Sequence, residues 1–417
     1  MMPIRPWGRT VAAAATYADP MAAIELADYG PDFNVNPYPY YEKMRETGPV
    51  HEIRTPDGNR FWLVVGYEEG RLALADARLS KSLSVMGYES TDEAIMGPHV
   101  LTLDPPDHTR LRKLVAPEFT PRRVEKLRPR VQQITDDLLD AMVPAGQGDL
   151  VDALAFPLPI TVICELLGVP HADRDTFRAW TNEIVAPTTA TGARDNTVEL
   201  CAYLDALIED KRVSAPGDDL LSTLLRTRAE DGDRLSAAEL RAWAYVLLIA
   251  GHETTVNLIA NAVRTLLGNP GQLAALRADF GLLDGAIEET LRFEGPVETS
   301  TARFTSEPVT YGDTVIPARE MVLISLASAD RDRARFPDPD SFDIHRSATP
   351  GRGPGHLAFG HGIHFCLGAP LARLEGRIAI RTLLERCPDL ALDPAAGPYE
   401  WLPGLLIRGV RGLPVRW

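Results

Sequence analysis

Hydrophobic positions along the chain recur mostly every three or four residues, the spacing of helices that bury one face. The longest such run, Ser236 to Leu267, is apolar nearly all round, which marks a central helix. Ala286 to Phe293 and Ala369 to Leu384 repeat the helical spacing, and Asp152 to Val169 does so with Pro157 and Pro159 breaking it. Strict alternation is confined to a few places. Val50–Arg54 and Phe61–Val65 alternate around Pro56-Asp57-Gly58 and predict a hairpin behind a short helix over Glu42–Thr47. Short strands return near Pro308–Val315 and in the last twenty residues, where Tyr399 to Ile407 reads as strand-turn-strand. The pattern predicts a mainly α chain with a small β-rich lobe. No linker or repeat divides it, so residues 31–417 read as one domain behind a disordered extension over residues 1–30.

Two stretches lack a period. Lys81 to Val100 mixes Met86, Tyr88, Ile95 and Met96 with polar residues, and a long irregular loop in a compact domain is usually functional or disordered. Trp180 to Asp195, rich in Thr, Ala and Gly, reads as a mobile lid between helices. Between these, Asp104-Pro105-Pro106-Asp107 opens a helix with Asp104 as its cap and proline in the first turn. Gly217-Asp218-Asp219 caps a further one.

Composition narrows the reading. The 417 residues are 45% apolar and 24% charged, an ordinary globular balance. A net charge of −15 argues against a nucleic-acid partner, which wants clustered Lys and Arg. Four scattered cysteines (Cys164, Cys201, Cys366, Cys387) form no C-x-x-C pair and suit a reducing cytosol. The apolar run near the N-terminus is too short for a signal peptide. His252, Glu253, Asn257 and Asn261 interrupt the most apolar stretch, Trp243 to Leu267, so it reads as a buried helix and the protein as soluble, with no membrane partner.

The candidate chemistry lies in four places. Cys366 sits among Gly360, Gly362 and Gly368, in a loop able to wrap one side chain tightly, and directly before a helix whose N-terminus favours a thiolate. Glu253 and Thr254 lie side by side inside the apolar helix, behind the small residues Ala250 and Gly251, and are costly to bury unless used. Thr254 could instead bond back to a carbonyl one turn earlier. His108 and Arg112 share a helix face at four residues' spacing, and Glu289 and Arg292 share one at three.

Phe359, Gly360, Gly362, His364, Cys366 and Gly368 match F-G-x-G-x-H-x-C-x-G, and the chain there resembles the cytochrome P450 monooxygenases. The resemblance implies a mainly helical haem-thiolate fold with haem b held without covalent attachment and Cys366 as axial ligand. It places Phe359, Gly360, Gly368 and Ala250 against the cofactor, and His108, Arg112, Arg303 and His364 at its propionates. Ala250-Gly251-His252-Glu253-Thr254-Thr255 matches the family's A-G-x-E-T-T, which implies that Glu253 and Thr254 organise water and deliver protons to dioxygen. Glu289 and Arg292 match its structural E-x-x-R pair. The usual third member, an Arg, is replaced by Ser341, so Arg346 or another cation substitutes, or the pair stands alone.

The closest likeness within the family is to bacterial enzymes that hydroxylate macrolides and related polyketides. The implied pocket takes in Met86, Glu89, Glu93, Ile95, Met96, Val246, Ile249, Ala250, Val297, Glu298, Thr299, Leu402 and Leu405. The same framework could take a steroid, a terpene or a fatty acid. No flavin or iron–sulfur segment is present, so a separate ferredoxin and its reductase would supply electrons, docking on Arg110, Lys113, Arg122, Arg123 and Arg352. The rival readings are a haem-thiolate enzyme that inserts no oxygen and a haem sensor; the intact Glu253–Thr254 pair argues against both.

Overall fold

The computed structural model describes residues 23–55, 58–88, 95–170, 174–185, 189, 191–214, 217–227, 232–346 and 355–417. Apart from α-helices of four or five residues, the α-helices are α1 (Tyr38–Thr47), α2 (Tyr67–Ala75), α3 (Asp107–Val115), α4 (Arg128–Met142), α5 (Pro157–Leu167) and α6 (Arg174–Val185). They continue with α7 (Gly192–Val213), α8 (Leu220–Arg226), α9 (Ala237–Gly268), α10 (Pro270–Ala278), α11 (Leu283–Phe293) and α12 (Ala369–Arg386). The fold is mainly α with a small β lobe.

α9 organises the rest. Ser236 caps it through a reciprocal box: the Ser236 hydroxyl accepts from the Glu239 N–H at 3.2 Å, and the Glu239 carboxylate accepts from the Ser236 N–H at 2.7 Å. α9 packs against α5, α7, α11 and α12, which surround it. It is long and apolar enough to cross a membrane, yet 72% of its most apolar stretch is buried inside the protein, as befits a core helix. Gly251 is small for packing rather than for access, since a Cβ there would meet Ile163 Cδ1 of α5 at 3.3 Å.

The β lobe forms a six-stranded sheet from β1 (Ile24–Glu25), β2 (Val50–Arg54), β3 (Arg60–Val64), β4 (Leu79–Ser80), β6 (Arg303–Thr305) and β9 (Met321–Ile324), in the order β1-β2-β3-β9-β6-β4. β2 and β3 are the expected antiparallel hairpin, with Val50 opposite Val64 and Glu52 opposite Trp62. Three residues, 147–149, form β5, which pairs in a second sheet with β10 (Ala391–Leu392) and β11 (Pro414–Arg416); β7 (Val309–Tyr311) and β8 (Thr314–Ile316) form the last hairpin. Ile24 and Glu25, expected within a disordered extension, pair with Ile53 and Arg54 of β2.

Two local expectations change. Asp104 does not cap α3, whose first residue is Asp107 behind Pro106; its carboxylate instead accepts from the Ser80 hydroxyl and, at 2.9 Å, from the Lys81 N–H. That ties the start of the irregular loop to α3. The helical pattern also does not end at Trp180. α6 continues to Val185 because Phe177, Thr181 and Ile184 recur on one buried face, while part of the expected lid lies outside the described residues.

Candidate active site

The Cys366 loop is shaped by two left-handed glycines, Gly360 at φ 73° and Gly362 at φ 76°. Gly362 is pressed on α2, since a Cβ there would lie 3.1 Å from Ala75 Cα. The Cys366 N–H donates to the Phe359 carbonyl at 2.9 Å, closing the loop on itself. Gly368 is different: its φ is −78°, and it serves as the residue before α12. The Gly368 and Ala369 N–H groups point at the sulfur. Desolvation pushes the Cys366 thiol up against the pull of those N–H groups and of the Arg112 and Arg373 guanidinium groups, although the residue itself is exposed at the surface of this site. A cation bound beside the sulfur would favour the thiolate there.

Opposite in character is a knot of cations with little anion among them. His108 and Arg112 lie one turn apart on α3, the His364 ring lies tilted against that of His108 with centroids 4.2 Å apart, and Arg303 sits buried on β6. Lys81, which the sequence did not single out, is buried too, its ammonium donating to the Thr301 carbonyl (3.2 Å), the Thr301 hydroxyl (2.6 Å) and the Ala302 carbonyl (2.7 Å). Burial, then Arg303, drives Lys81 well below its ordinary value. Burial, then His108, Arg303 and Lys81, drive His364 to about 3, and burial brings Arg303 to about 10. Both ring nitrogens of His108 and Nε of Arg303 are buried without a partner among the described residues. Such a cluster costs free energy unless an anion completes it. A group carrying two carboxylates fits, and Cys366 fits its metal.

On α9, Ala250 is the one exposed residue between Leu240 and Leu267, with Ile249 and Thr254 half-buried on either side and Val246 buried one turn before. A core helix exposes a mid-length alanine only where a hollow adjoins it. The Thr254 hydroxyl donates to the Ala250 carbonyl at 2.9 Å, so the back-bond expected as the plainer reading is present, and the same oxygen remains free to accept. Glu253 is held by Asn257, whose amide donates to its carbonyl at 2.8 Å and its carboxylate at 3.4 Å.

The remaining pocket candidates fare unevenly. Met86, Ile95, Met96, Val297 and Leu402 are half-buried, and Glu89 and Glu93 lie outside the described residues. Thr299 is buried with its hydroxyl donating to the Leu405 carbonyl at 2.8 Å, and Leu405 packs on the Phe33–Tyr41 cluster of the β lobe. Glu298 does not face the substrate. Strand alternation turns it away from Val297, into a 2.6 Å bond from the Tyr41 hydroxyl. Burial raises Glu298 to about 7. An open groove of about 650 Å³, lined among others by Arg128, Asp284, Arg377, Arg381 and Glu385, takes in none of these residues.

Glu289 and Arg292 are fully buried and doubly bonded, and Arg346 supplies the third member, its Nε donating to Glu289 Oε1 at 3.1 Å. Ser341 contributes its carbonyl, which accepts from both arginines.

A thiol aimed by a glycine loop, a dicarboxylate-binding cation cluster and a polar notch in a core helix together define a haem-thiolate centre. The cytochrome P450 family profile matches residues 187–395. Over 397 residues, 94% of each chain, the protein is 57% identical to the cytochrome P450 monooxygenase PikC of Streptomyces venezuelae. It is 47% identical to the vitamin D(3) 25-hydroxylase of Pseudonocardia autotrophica over 91% of this chain and 93% of that one. With the 6-deoxyerythronolide B hydroxylase of Saccharopolyspora erythraea it shares 45% over 92% and 96%. The chain belongs to the cytochrome P450 family: it is a monooxygenase that uses haem b, dioxygen and a small-molecule substrate.

Proposed function

We propose that this enzyme hydroxylates a C–H bond of a large lipophilic natural product, a macrolide or related polyketide, as a soluble cytoplasmic protein fed by a ferredoxin and its reductase. The observation that carries the site is the exposed Ala250 in the middle of α9, beside Thr254 and Glu253. In this reading Cys366 ligates iron, and Arg303, Arg112, His108 and His364 hold the propionates, with the Lys81 ammonium nearby fastening Thr301 and Ala302. When bound, haem supplies the redox chemistry that activates dioxygen.

The protein's own part is positional. Thr254 Oγ1, anchored by its bond to Ala250, accepts from a water in the notch and fixes where that water sits. Glu253 Oε relays protons to that water from outside, held in place by Asn257. Val246, Ile249, Val297 and Leu402 present apolar surface that desolvates and orients the substrate. The similarity to a macrolactone hydroxylase supports the substrate class, and the likeness to a vitamin D(3) hydroxylase favours a steroid-like substrate as the second reading.

On the docking face the expected patch loses members. Arg110 pairs with Glu239 and, at 3.2 Å, with Asp233, and Arg123 pairs with Glu118 at 2.9 Å. Arg352 lies outside the described residues, which leaves exposed Lys113 and Arg122.

The test is a spectral titration of the haem-loaded protein with macrolides, macrolactones, secosteroids and fatty acids. A low- to high-spin shift, which reports water leaving the iron, should appear at the lowest concentration with a macrolide or macrolactone. Tighter shifts with a secosteroid would replace the substrate class, and no shift with any of them would remove the lipophilic-pocket reading.

A further inference from the structure

The two asparagines one and two turns beyond Glu253 do different work. Asn261 donates to the Arg408 carbonyl at 3.0 Å and to the Glu294 carbonyl at 3.1 Å, fixing the C-terminal hairpin to α9. That hairpin is also clamped elsewhere. The Leu402 N–H donates to the Gly409 carbonyl at 2.9 Å, the Arg408 N–H to the Pro296 carbonyl at 2.9 Å, and Trp401 bridges Val410. Gly409 therefore has its backbone fixed on both sides. Its α-carbon faces Asn257 so closely that a Cβ would overlap Asn257 Oδ1, lie 2.5 Å from Cγ and 3.1 Å from Cβ. Asn257 is 1% exposed, and its amide holds both polar groups of Glu253.

We propose that Gly409 is a positioning residue for proton delivery: its bare α-carbon seats the Asn257 amide, and Asn257 in turn aims the Glu253 carboxylate. The inference rests on the reading of Glu253 as the proton-delivering acid. A side chain at residue 409 has two ways to be accommodated. The hairpin is held by Asn261, Leu402 and Pro296; the Asn257 amide, whose bonds among the described residues go to Glu253, is the part that moves. The same hairpin carries Leu402, so the segment read as meeting the substrate also seats the acid's support. Asn257 touches no reacting atom; it acts through Glu253.

The experiment is a double-mutant cycle on the haem-loaded enzyme with its best substrate, reading product formed per NADPH, peroxide released and the solvent isotope effect on turnover. Gly409→Ala and Asn257→Ala should each lower product per NADPH about three- to tenfold and raise the isotope effect, with the spin-shift affinity for substrate unchanged within about twofold. In the Asn257→Ala background, Gly409→Ala should cost nothing further. Losses that multiply in the double variant, or a loss of substrate affinity in place of coupling, would overturn the proposal. Glu253→Gln is the reference: full coupling there removes the acid and this inference with it, whereas lost coupling there with intact coupling in Asn257→Ala sinks the inference alone. If Asn257→Ala does not accumulate, Asn257→Asp keeps the shape and turns the donor into an acceptor facing Glu253; it should uncouple too, and tight coupling in it would be equally fatal.

Discussion

Arg292 lays both arms of its guanidinium on Glu289, at 2.7 and 2.8 Å, with neither side chain more than 2% exposed. Its remaining donors go to the Asp330, Pro339 and Ser341 carbonyls, so the pair pins α11 to the meander that leads to the cysteine loop. Removing one partner of a buried pair typically costs about 3–5 kcal/mol. Glu289→Gln should therefore lose most haem-containing protein. Arg346, 19% exposed, should matter less: Arg346→Gln costs about 1–2 kcal/mol in denaturant unfolding. Equal losses for the two variants would show that Arg346 is a full member of the core pair.

Thr254→Ala removes the hydroxyl that positions water while leaving α9 its backbone bonds. Product per NADPH should fall about tenfold or more, with peroxide rising to match, and haem content should stay at the parent level. Unchanged coupling would leave Thr254 with only its back-bond to Ala250.

Lys81→Met tests whether the buried ammonium belongs to the cofactor's anions. The variant should fold, since the three acceptors it leaves are two carbonyls and a hydroxyl at a loop edge. It should lose haem to a scavenging apoprotein about tenfold faster, following the strength of bonds to charged groups. Equal loss rates would assign Lys81 to fastening Thr301 and Ala302 alone.

Glu375 of α12 is 1% exposed, its Oε2 has no partner among the described residues, and burial raises it to about 8. An acid whose folded value lies above its unfolded one binds more protons when folded, so stability falls as pH rises from about 4.5 towards 8 and levels off beyond. Glu375→Gln should abolish that slope. The variant and parent should unfold alike at pH 4, and the variant should be more stable by about 2–3 kcal/mol at pH 7. A gap independent of pH would mean that Glu375 is charged in the folded protein.

Arg110→Glu and Lys113→Glu should separate two roles that the sequence merges. Lys113→Glu should slow ferredoxin-dependent reduction several-fold and more so at low salt. Arg110→Glu should instead lower the melting temperature by disturbing the start of α9. A specific slowing of reduction in Arg110→Glu, with stability intact, would return it to the docking patch.

What the sequence showed clearly is what short-range pattern determines. The β2–β3 hairpin lies in an alternating run around a turn, and α9 in the long apolar run from Ser236 to Leu267. The cysteine loop was legible because glycine spacing and helix start are adjacent in the chain. What escaped depends on distant partners. Lys81 is an ordinary surface-type residue until Thr301 and Ala302 close over it, and Glu298 turns away from the pocket because Tyr41, 257 residues earlier, receives it. Asp104 looked like a helix cap because its neighbours are prolines, but Ser80 and the Lys81 backbone claim its carboxylate. Arg346 as the third member of the buried pair was one of several options in the chain and a single one in space. Asn257 did leave a signal: an amide four residues after an acid, inside an otherwise apolar helix.

Glu239 has two allegiances, closing the capping box with Ser236 and pairing with Arg110 of α3, which Asp233 also joins. Anyone exchanging the middle of this chain with that of a relative, to change what it oxidises, would naturally cut at Ser236, where the long helix starts. That cut separates Asp233 from Arg110's other partner and leaves the seam between donor and recipient holding mismatched charge. Crossovers placed ahead of residue 232, carrying Asp233, Ser236 and Glu239 as one block with the helix, keep the seam native and should give the hybrid enzymes that fold.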